Sequence, residues 1–187
     1  MAEALNNIKE KVVGGLQVRP AIAGDVDMVW GVINECAQWL AGQGLTHWAN
    51  HYTREMMAKM IAHHEVYLAL RDGELVSTMT FSKRPPKYYV TENYVQRFTE
   101  PEESAAYVMA IGVLPQHQKQ GIAGSMVQLA EDLARLRGVK WLRLDCRSEV
   151  PGLVSFYEKR GFNKTPNGLC VEGEGESYWL MEKRIGV

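Results

Sequence analysis

The segment "QKQGIAGS" contains residue types that suit anion binding. Gly121, Ala123 and Gly124 remove side-chain bulk from one side of a turn, so backbone N–H groups can face outward. An amphipathic helical pattern follows, and the first N–H groups of a helix lack intrahelical partners and lie at the positive end of its dipole. Gln118 and Lys119 can add donors at the rim. The segment therefore predicts either a seat for a phosphate or diphosphate, or the plain start of a helix packed on a sheet.

Two familiar nucleotide motifs are missing from the sequence. A GxxxxGK[ST] motif does not occur, which argues against an NTPase P-loop. GxGxxG does not follow the first predicted strand, which argues against the dinucleotide fingerprint. If the segment holds a phosphate, that phosphate belongs to another class of ligand.

Composition and charge narrow the class of protein. The chain has 187 residues and a formal net charge of -1, which argues against a broad nucleic-acid surface and a polybasic membrane anchor. No apolar run is long enough to span a bilayer, and the first residues do not resemble a secretory signal. We therefore expect a cytoplasmic protein with a tail at residues 1–14 and one domain at 15–187.

The three cysteines, Cys36, Cys146 and Cys170, are odd in number and widely spaced, and none forms a CxxC pair. This pattern favours neither a disulfide framework nor a metal site, and it is typical of a reducing compartment. Each cysteine lies in an apolar pattern, so we expect three small buried side chains rather than a nucleophile.

Hydrophobic periodicity predicts an α/β domain with the order β-α-α-β-β-β-α-β-α-β-β. The clearest hairpin surrounds Asp72-Gly73, a pair preferred in tight primed turns. The segment "LTHWANHY" is expected to be loop, and residues 87–103 an irregular insertion. The run from Ser104 to Pro115 predicts a strand buried on both faces, in which Gly112 indicates a bulge or a close backbone approach.

Several motifs in this order resemble the GNAT superfamily of acyl-CoA N-acyltransferases. A strand ending "AIGV" precedes Gln118-x-x-Gly121-x-Ala123, which matches the Q/R-x-x-G-x-G/A acyl-CoA motif. About 34 residues later, "SFYEKRGF" is similar to the family's second landmark on its last helix. "VRPAIAGDVDMV" resembles its opening strand and first helix, so the resemblance covers about Leu16 to Ile185. It implies a mixed, mostly antiparallel sheet that splays after the fourth strand, flanked by about four helices.

The resemblance implies a set of residues for acetyl-CoA, the expected cosubstrate, and no metal. Backbone groups at a bulge would bind pantetheine, and the turn with the start of its helix would bind the pyrophosphate. By position these are Ile111, Gly112, Val113, Gln118, Lys119, Gln120, Gly121, Ile122, Ala123, Gly124 and Ser125.

Tyr157 matches the family tyrosine that protonates the departing thiolate, a sensible role because a phenol keeps its proton at neutral pH. A buried aromatic with a satisfied hydroxyl is the plain alternative. Many members carry an asparagine ahead of this helix, where the present chain has Val150. Ser148 or Glu149 could substitute for its contact with pantetheine.

The acceptor is expected to be a primary amine of a small molecule or peptide that attacks directly in a ternary complex. A lysine-like amine needs a base, because its deprotonation at neutral pH costs roughly 4 kcal/mol. Glu103 is the preferred candidate, because it leads into the strand expected to flank the thioester. The other candidates are Glu102, Glu35, His47, His51 and a bound water.

Aromatic residues in the variable segments are expected to form the acceptor pocket, because they suit a cationic amine with an apolar body. Packing beneath long loops would explain the same residues. The chosen candidates are Trp39, Trp48, Tyr52 and Tyr89, with Tyr88 and Tyr94 nearby.

Two other functions stay open at this point. The first is a module that binds coenzyme A or acyl-CoA for sensing or assembly with little catalysis, and the second is a purely structural α/β protein. We expect a monomer or homodimer that binds neither nucleic acid nor membrane.

Overall fold

A computed structural model describes residues 10–172 and 176–186 of the chain. The described residues contain eight strands in one mixed, mostly antiparallel sheet, ordered β1-β2-β3-β4-β5-β6-β8-β7, which confirms the predicted fold class. The strands are β1 (Lys11–Val13), β2 (Leu16–Pro20), β3 (Glu65–Arg71), β4 (Glu74–Ser82), β5 (Ala105–Val113), β6 (Trp141–Arg147), β7 (Asn163–Glu172) and β8 (Glu176–Arg184).

The described residues contain six α-helices where the sequence predicts about four. The two additional helices, at His47–His51 and Lys87–Thr91, are five residues long, too short to show a helical period in the sequence. The helices are α1 (Val26–Ala41), α2 (His47–His51), α3 (Arg54–His63), α4 (Lys87–Thr91), α5 (Ile122–Leu136) and α6 (Pro151–Glu158).

The chain forms two compact units. The first ends at Phe81 and includes Ala110–Leu129, and the second comprises Ser82–Met109 and the chain from Ala130 onward. Part of the predicted N-terminal tail belongs to the first unit, since Lys11–Val13 pair with β2 as strand β1 and Val13 is buried. Residues 1–9 of that tail lie outside the described residues.

Helix α1 of the first unit is anchored at its start by an ion pair. The Arg19 guanidinium donates to both carboxylate oxygens of Asp25, at 2.6 and 2.9 Å, and the Ile22 amide donates to the same carboxylate at 2.8 Å. Thr53 caps α3, because its hydroxyl accepts from the Met56 amide at 3.2 Å. These local contacts fix where both helices begin.

Strand pairing in the second unit includes a short parallel segment. Strands β5 and β6 pair from Ala105↔Trp141 to Tyr107↔Arg143, three residue pairs, although β6 itself continues to Arg147. Helix α5 lies between these two strands in the chain and provides the crossover that parallel pairing requires. Strand β6 pairs antiparallel with β8 along its full length, and β8 pairs with β7.

The insertion at residues 87–103 is ordered by aromatic packing rather than irregular. It contains α4 and a 3-10 turn at Tyr94–Arg97, and its side chains form a buried cluster with the strands of the second unit. The buried members of this cluster are Tyr89, Tyr94, Phe98, Ala105, Tyr107, Cys170 and Leu180.

Candidate functional site

Strand β5 has a backbone irregularity at Ala110, close to its end, which we call the bulge. Ala110 adopts a left-handed backbone conformation with φ 49°, which is uncommon for a residue with a side chain. The sequence indicates a bulge or a close approach near Gly112, and the structure separates the two features. Gly112 provides the close approach, since an added Cβ would lie 3.3 Å from Val32 and 3.4 Å from Ile33.

Side chains of the first unit hold the carbonyl groups that follow this bulge. The Ser77 hydroxyl donates to the Gly112 carbonyl at 2.7 Å. The Val113 carbonyl accepts from the Cys36 thiol at 3.2 Å and from the Gln118 side-chain amide at 3.3 Å. Both carbonyls therefore have partners within the protein, and Gln118 uses its side chain to join the strand to the loop.

The loop before α5 alternates backbone conformations in the manner of an anion-binding nest. Lys119 and Gly121 have positive φ angles, 61° and 82°, and α5 begins at Ile122. An added Cβ on Gly121 would meet no described atom within 4 Å, so its conformation, not packing, requires glycine here. The Ser125 amide donates to the Gly121 carbonyl at 3.1 Å, so the backbone N–H groups before it are those that a helix leaves for an anion.

Arg71 is a residue near this loop that the sequence does not single out. Its guanidinium donates to the Gln120 side-chain oxygen at 2.6 Å, and the Gln120 side-chain amide donates to the Gln116 carbonyl at 3.2 Å. The contact ties the β3–β4 hairpin to the loop across 49 positions of sequence. A short stretch of sequence cannot predict a contact between side chains so far apart in the chain.

Tyr157 lies on α6 in the second unit and is buried, with its side chain between two phenylalanine rings. The ring centroids of Phe156 and Phe162 are 5.1 and 5.6 Å from that of Tyr157. Burial, followed by the nearby Cys146 and Asp145, raises the pKa of Tyr157 above its ordinary value. Its phenol therefore holds its proton throughout the physiological pH range.

The two residues expected to substitute for the family asparagine are engaged elsewhere. The Ser148 hydroxyl forms a hydrogen bond with that of Ser177. The Glu149 carboxylate accepts from the Ser177 amide and from Arg147 Nε, each at 2.9 Å. Val150 is the N-cap of α6 and gives no side-chain cap.

The structure places Glu103 in an ion pair. Its carboxylate accepts from Lys140 Nζ at 2.6 Å, and this hydrogen bond holds the pKa of Glu103 below its usual value. A carboxylate held in this way is a weaker base than a free one. Glu103 also precedes β5 by two residues, whereas the bulge stands at the sixth residue of that strand.

The four predicted acceptor-pocket residues differ in exposure. Trp39 on α1 is 40% exposed, and Trp48 and Tyr52 at α2 are half-buried with their rings edge to face at 5.3 Å. Tyr89 is 1% exposed and lies inside the aromatic cluster. The sequence could not separate these cases because exposure depends on the packing of distant elements.

Two further observations concern ligands and membranes. Within residues 10–172 and 176–186, His, Cys, Asp and Glu side chains do not gather in threes as metal ligands would. Among the described helices, none is long and apolar enough to cross a bilayer.

Comparison with known proteins gives one family. A model of the acetyltransferase (GNAT) family matches residues 33–162. The "Uncharacterized N-acetyltransferase YesJ" of Bacillus subtilis is 22% identical over 179 residues, 94% of each chain. A GNAT-family acetyltransferase structure from Listeria monocytogenes has a TM-score of 0.72 at 24% identity, covering 94% of this chain and 99% of its own. The PaiA N-acetyltransferase of Thermoplasma acidophilum, solved with coenzyme A, has a TM-score of 0.65 at 17% identity, with 90% and 98% covered.

Proposed function

The chain belongs to the acetyltransferase (GNAT) family of acyl-CoA-dependent N-acyltransferases, and we propose that it transfers an acetyl group from acetyl-CoA to a primary amine. The amine attacks the thioester directly in a ternary complex. The observation that carries the proposal is the loop before α5, in which Lys119 and Gly121 adopt left-handed conformations. We place the reaction in a reducing cytoplasm, in keeping with the free, buried cysteines.

The loop supports a specific division of the coenzyme A contacts. The pyrophosphate binds the N–H groups at the start of α5, from Gly121 to Gly124, with Lys119 at the rim. The Ser125 amide closes the first turn of the helix, since it donates to the Gly121 carbonyl at 3.1 Å. Pantetheine runs along the end of β5. Because the Gly112 and Val113 carbonyls already accept bonds from Ser77, Cys36 and Gln118, pantetheine uses Ile111 and the amide groups of this strand end.

Tyr157 is the proposed general acid, which protonates the departing thiolate. Its raised pKa supports the role in one respect, because the phenol is protonated at every pH at which the enzyme would work. A proton donor near sulfur converts a charged leaving group into a neutral thiol, which favours cleavage of the thioester.

A coenzyme A-binding module with little catalysis is the second candidate function. One observation favours it: Ser148 and Glu149 are bound to Ser177, and Val150 has no amide side chain to offer pantetheine. Such a module would bind acetyl-CoA as well as the enzyme does, but would release no thiol when amines are added.

Two measurements test the proposal. Isothermal titration with acetyl-CoA is expected to show binding, and its absence at micromolar protein would remove both candidate functions. A thiol-release assay over a panel of primary amines separates them, since only the enzyme gives amine-dependent release. On a working amine, Tyr157→Phe is expected to lower kcat at least tenfold, whereas the matched control Tyr178→Phe leaves it unchanged. Equal rates for wild type and Tyr157→Phe would refute the acid role.

A further inference from the structure

The insertion brings two tyrosines to one carboxylate in the second unit. Asp145 on β6 is half-buried and accepts a hydrogen bond from the hydroxyl of Tyr88, which is also half-buried. The pKa of Tyr89 is raised by its burial, then by Asp145 and Tyr88, so both groups lie near its hydroxyl. The ring of Tyr88 meets those of Tyr89 and Tyr94 edge to face, at 4.9 and 6.4 Å.

The neighbouring cations on β6 are paired with other carboxylates. Arg143 is fully buried, with its Nε 3.6 Å from Glu182, and Arg147 lies 2.9 Å from Glu149 and 3.1 Å from Glu176. These residues stand two positions before and after Asp145, on the same side of the strand. Both arginines on this side of β6 are therefore engaged by glutamates.

Neutral phenol groups satisfy the oxygens of a carboxylate without cancelling its negative charge. Burial, followed by Asp145, raises the pKa of Tyr89, so this phenol stays protonated at neutral pH. A negative oxygen bordered by tyrosine rings attracts an N–H donor on a cationic or polar head, while the rings accommodate an apolar body. Tyr88 already shows that a donor on an aromatic group can reach Asp145.

The same carboxylate is electrostatically close to the proposed acid. Asp145 contributes to raising the pKa of Tyr157, after burial and Cys146. Cys146 is the residue next to Asp145 on β6, and Tyr157 lies on α6, which contacts this strand. Asp145 and the proposed acid therefore belong to two contacting elements of the second unit.

We propose that Asp145, bordered by Tyr88 and Tyr89, is the subsite that receives the nitrogen of the acceptor amine. The acceptor's N–H replaces the Tyr88 hydroxyl as a donor to Asp145. The subsite takes a primary amine on an apolar or aromatic body, and it disfavours an amine with an adjacent carboxylate, because two negative charges would then face each other. The inference rests on the proposed acetyl transfer and names its acceptor class.

Three small molecules that share a phenylethyl skeleton test the subsite in the protein saturated with coenzyme A. Phenethylamine has the amine, 2-phenylethanol replaces it with a hydroxyl, and phenylalanine adds a carboxylate beside it. By ligand-observed NMR titration, phenethylamine is expected to bind wild type at least tenfold more tightly than either of the other two. Equal affinities for phenethylamine and phenylalanine, or no binding of phenethylamine, would overturn the proposal without the use of any variant.

Variants then locate the effect. Asp145→Asn is expected to weaken phenethylamine binding at least tenfold and to leave 2-phenylethanol binding unchanged, whereas Asp132→Asn, on α5, changes neither. Tyr88→Phe removes the competing donor and is expected to preserve or strengthen phenethylamine binding. Unchanged binding in Asp145→Asn, or tenfold weaker binding in Tyr88→Phe, would contradict the assignment.

Coenzyme A affinity serves as the separate readout. It depends on the loop before α5, so unaltered affinity shows that a variant is folded. Should wild type fail to bind coenzyme A or acetyl-CoA, the proposed function fails; should coenzyme A bind normally without the amine preference, only the subsite assignment fails.

Discussion

Gly14, in the turn between β1 and β2, lies directly against the side chain of Ser125 in the first turn of α5. An added Cβ at Gly14 would overlap the Ser125 hydroxyl oxygen. The N-terminal hairpin thereby becomes a neighbour of the helix start that we assign to the pyrophosphate of coenzyme A. Through this contact, the turn between β1 and β2 supports the start of α5 and the loop before it.

Substitution in this turn is expected to separate steric contact from backbone strain. Gly14→Ala and Gly15→Ala both place a side chain at positive φ, 56° and 80°, at a cost of about 1 kcal/mol each. Only Gly14→Ala also displaces Ser125, because a Cβ on Gly15 meets no described atom within 4 Å. Calorimetric titration should therefore show weaker acetyl-CoA binding in Gly14→Ala alone; equal loss in both variants would contradict the steric explanation.

Substitution of Ala110 by glycine is expected to change the free energy of unfolding in the opposite direction from the same substitution at another position of β5. A left-handed alanine is strained by about 1–2 kcal/mol, which Ala110→Gly relieves against a smaller entropic cost in the unfolded chain. We expect urea unfolding to give a stability equal to wild type or up to about 1 kcal/mol higher. Ala106→Gly, at a fully buried position of the same strand, is expected to lose about 1 kcal/mol. Equal losses at both positions would show that Ala110 is not strained.

Arg71→Gln is expected to raise the KM for acetyl-CoA severalfold while leaving kcat at saturation unchanged. The substitution removes the charged hydrogen bond to Gln120, a class of bond worth about 1.5–3 kcal/mol, and so loosens the loop before coenzyme A binds. Steady-state kinetics on a working amine measure both constants. Arg54→Gln, which removes an exposed pair with Asp27, is the control, and an equal effect there would indicate a nonspecific change in charge.

The buried pair of Arg143 and Glu182 is expected to be important for stability. Glu182 also accepts from the Thr99 amide at 3.1 Å, and Arg143 donates to the Glu100 carbonyl at 2.6 Å, so the pair fastens the insertion to β6 and β8. Arg143→Met leaves Glu182 buried without its cation and should cost about 3 kcal/mol or more in urea unfolding.

Two further variants check this account of the pair. Adding Glu182→Gln to Arg143→Met should restore part of the loss, because the unpaired charge is then removed. Lys140→Met breaks the exposed pair with Glu103 and should cost less than about 1 kcal/mol. A cost for Arg143→Met as small as that for Lys140→Met would contradict the claim.

Alkaline pH is expected to destabilise the fold through its buried thiols. Burial raises the pKa of Cys36 and of Cys146 from 9.0 to about 12. Above about pH 9 the unfolded chain releases thiol protons that the folded chain retains, so the stabilising contribution is complete below that pH and declines as pH rises towards 12. Each thiol should contribute up to about 1.4 kcal/mol per pH unit in this window.

Urea unfolding at pH 7.5, 9.5 and 10.5 measures this decline. Cys36→Ala should reduce the slope of the unfolding free energy against pH. The variant lacks one of the thiols that bind a proton more tightly in the folded state than in the unfolded state. A slope identical to that of wild type would show that other groups control the alkaline transition.

The elements that the sequence predicts correctly are those whose evidence is local. Helix α1 and the β3–β4 hairpin follow from hydrophobic periodicity and from Asp72-Gly73, which adopts the expected positive φ angles of 53° and 82°. The loop before α5 is recognisable because a run of small residues ahead of a helix allows few backbone arrangements. These features need only neighbouring residues, so the sequence by itself determined them and, through them, the family.

Tertiary structure alone decided which residues meet. Tyr88 and Asp145 are 57 residues apart, and Arg71 and Gln120 are 49 apart. The bulge falls on Ala110 rather than on a glycine. Tyr89 is buried, although its residue type and its place in a variable segment favour a pocket-lining role. Side-chain direction and exposure depend on how distant elements pack, and packing energy is shared over many contacts that no short stretch of sequence contains.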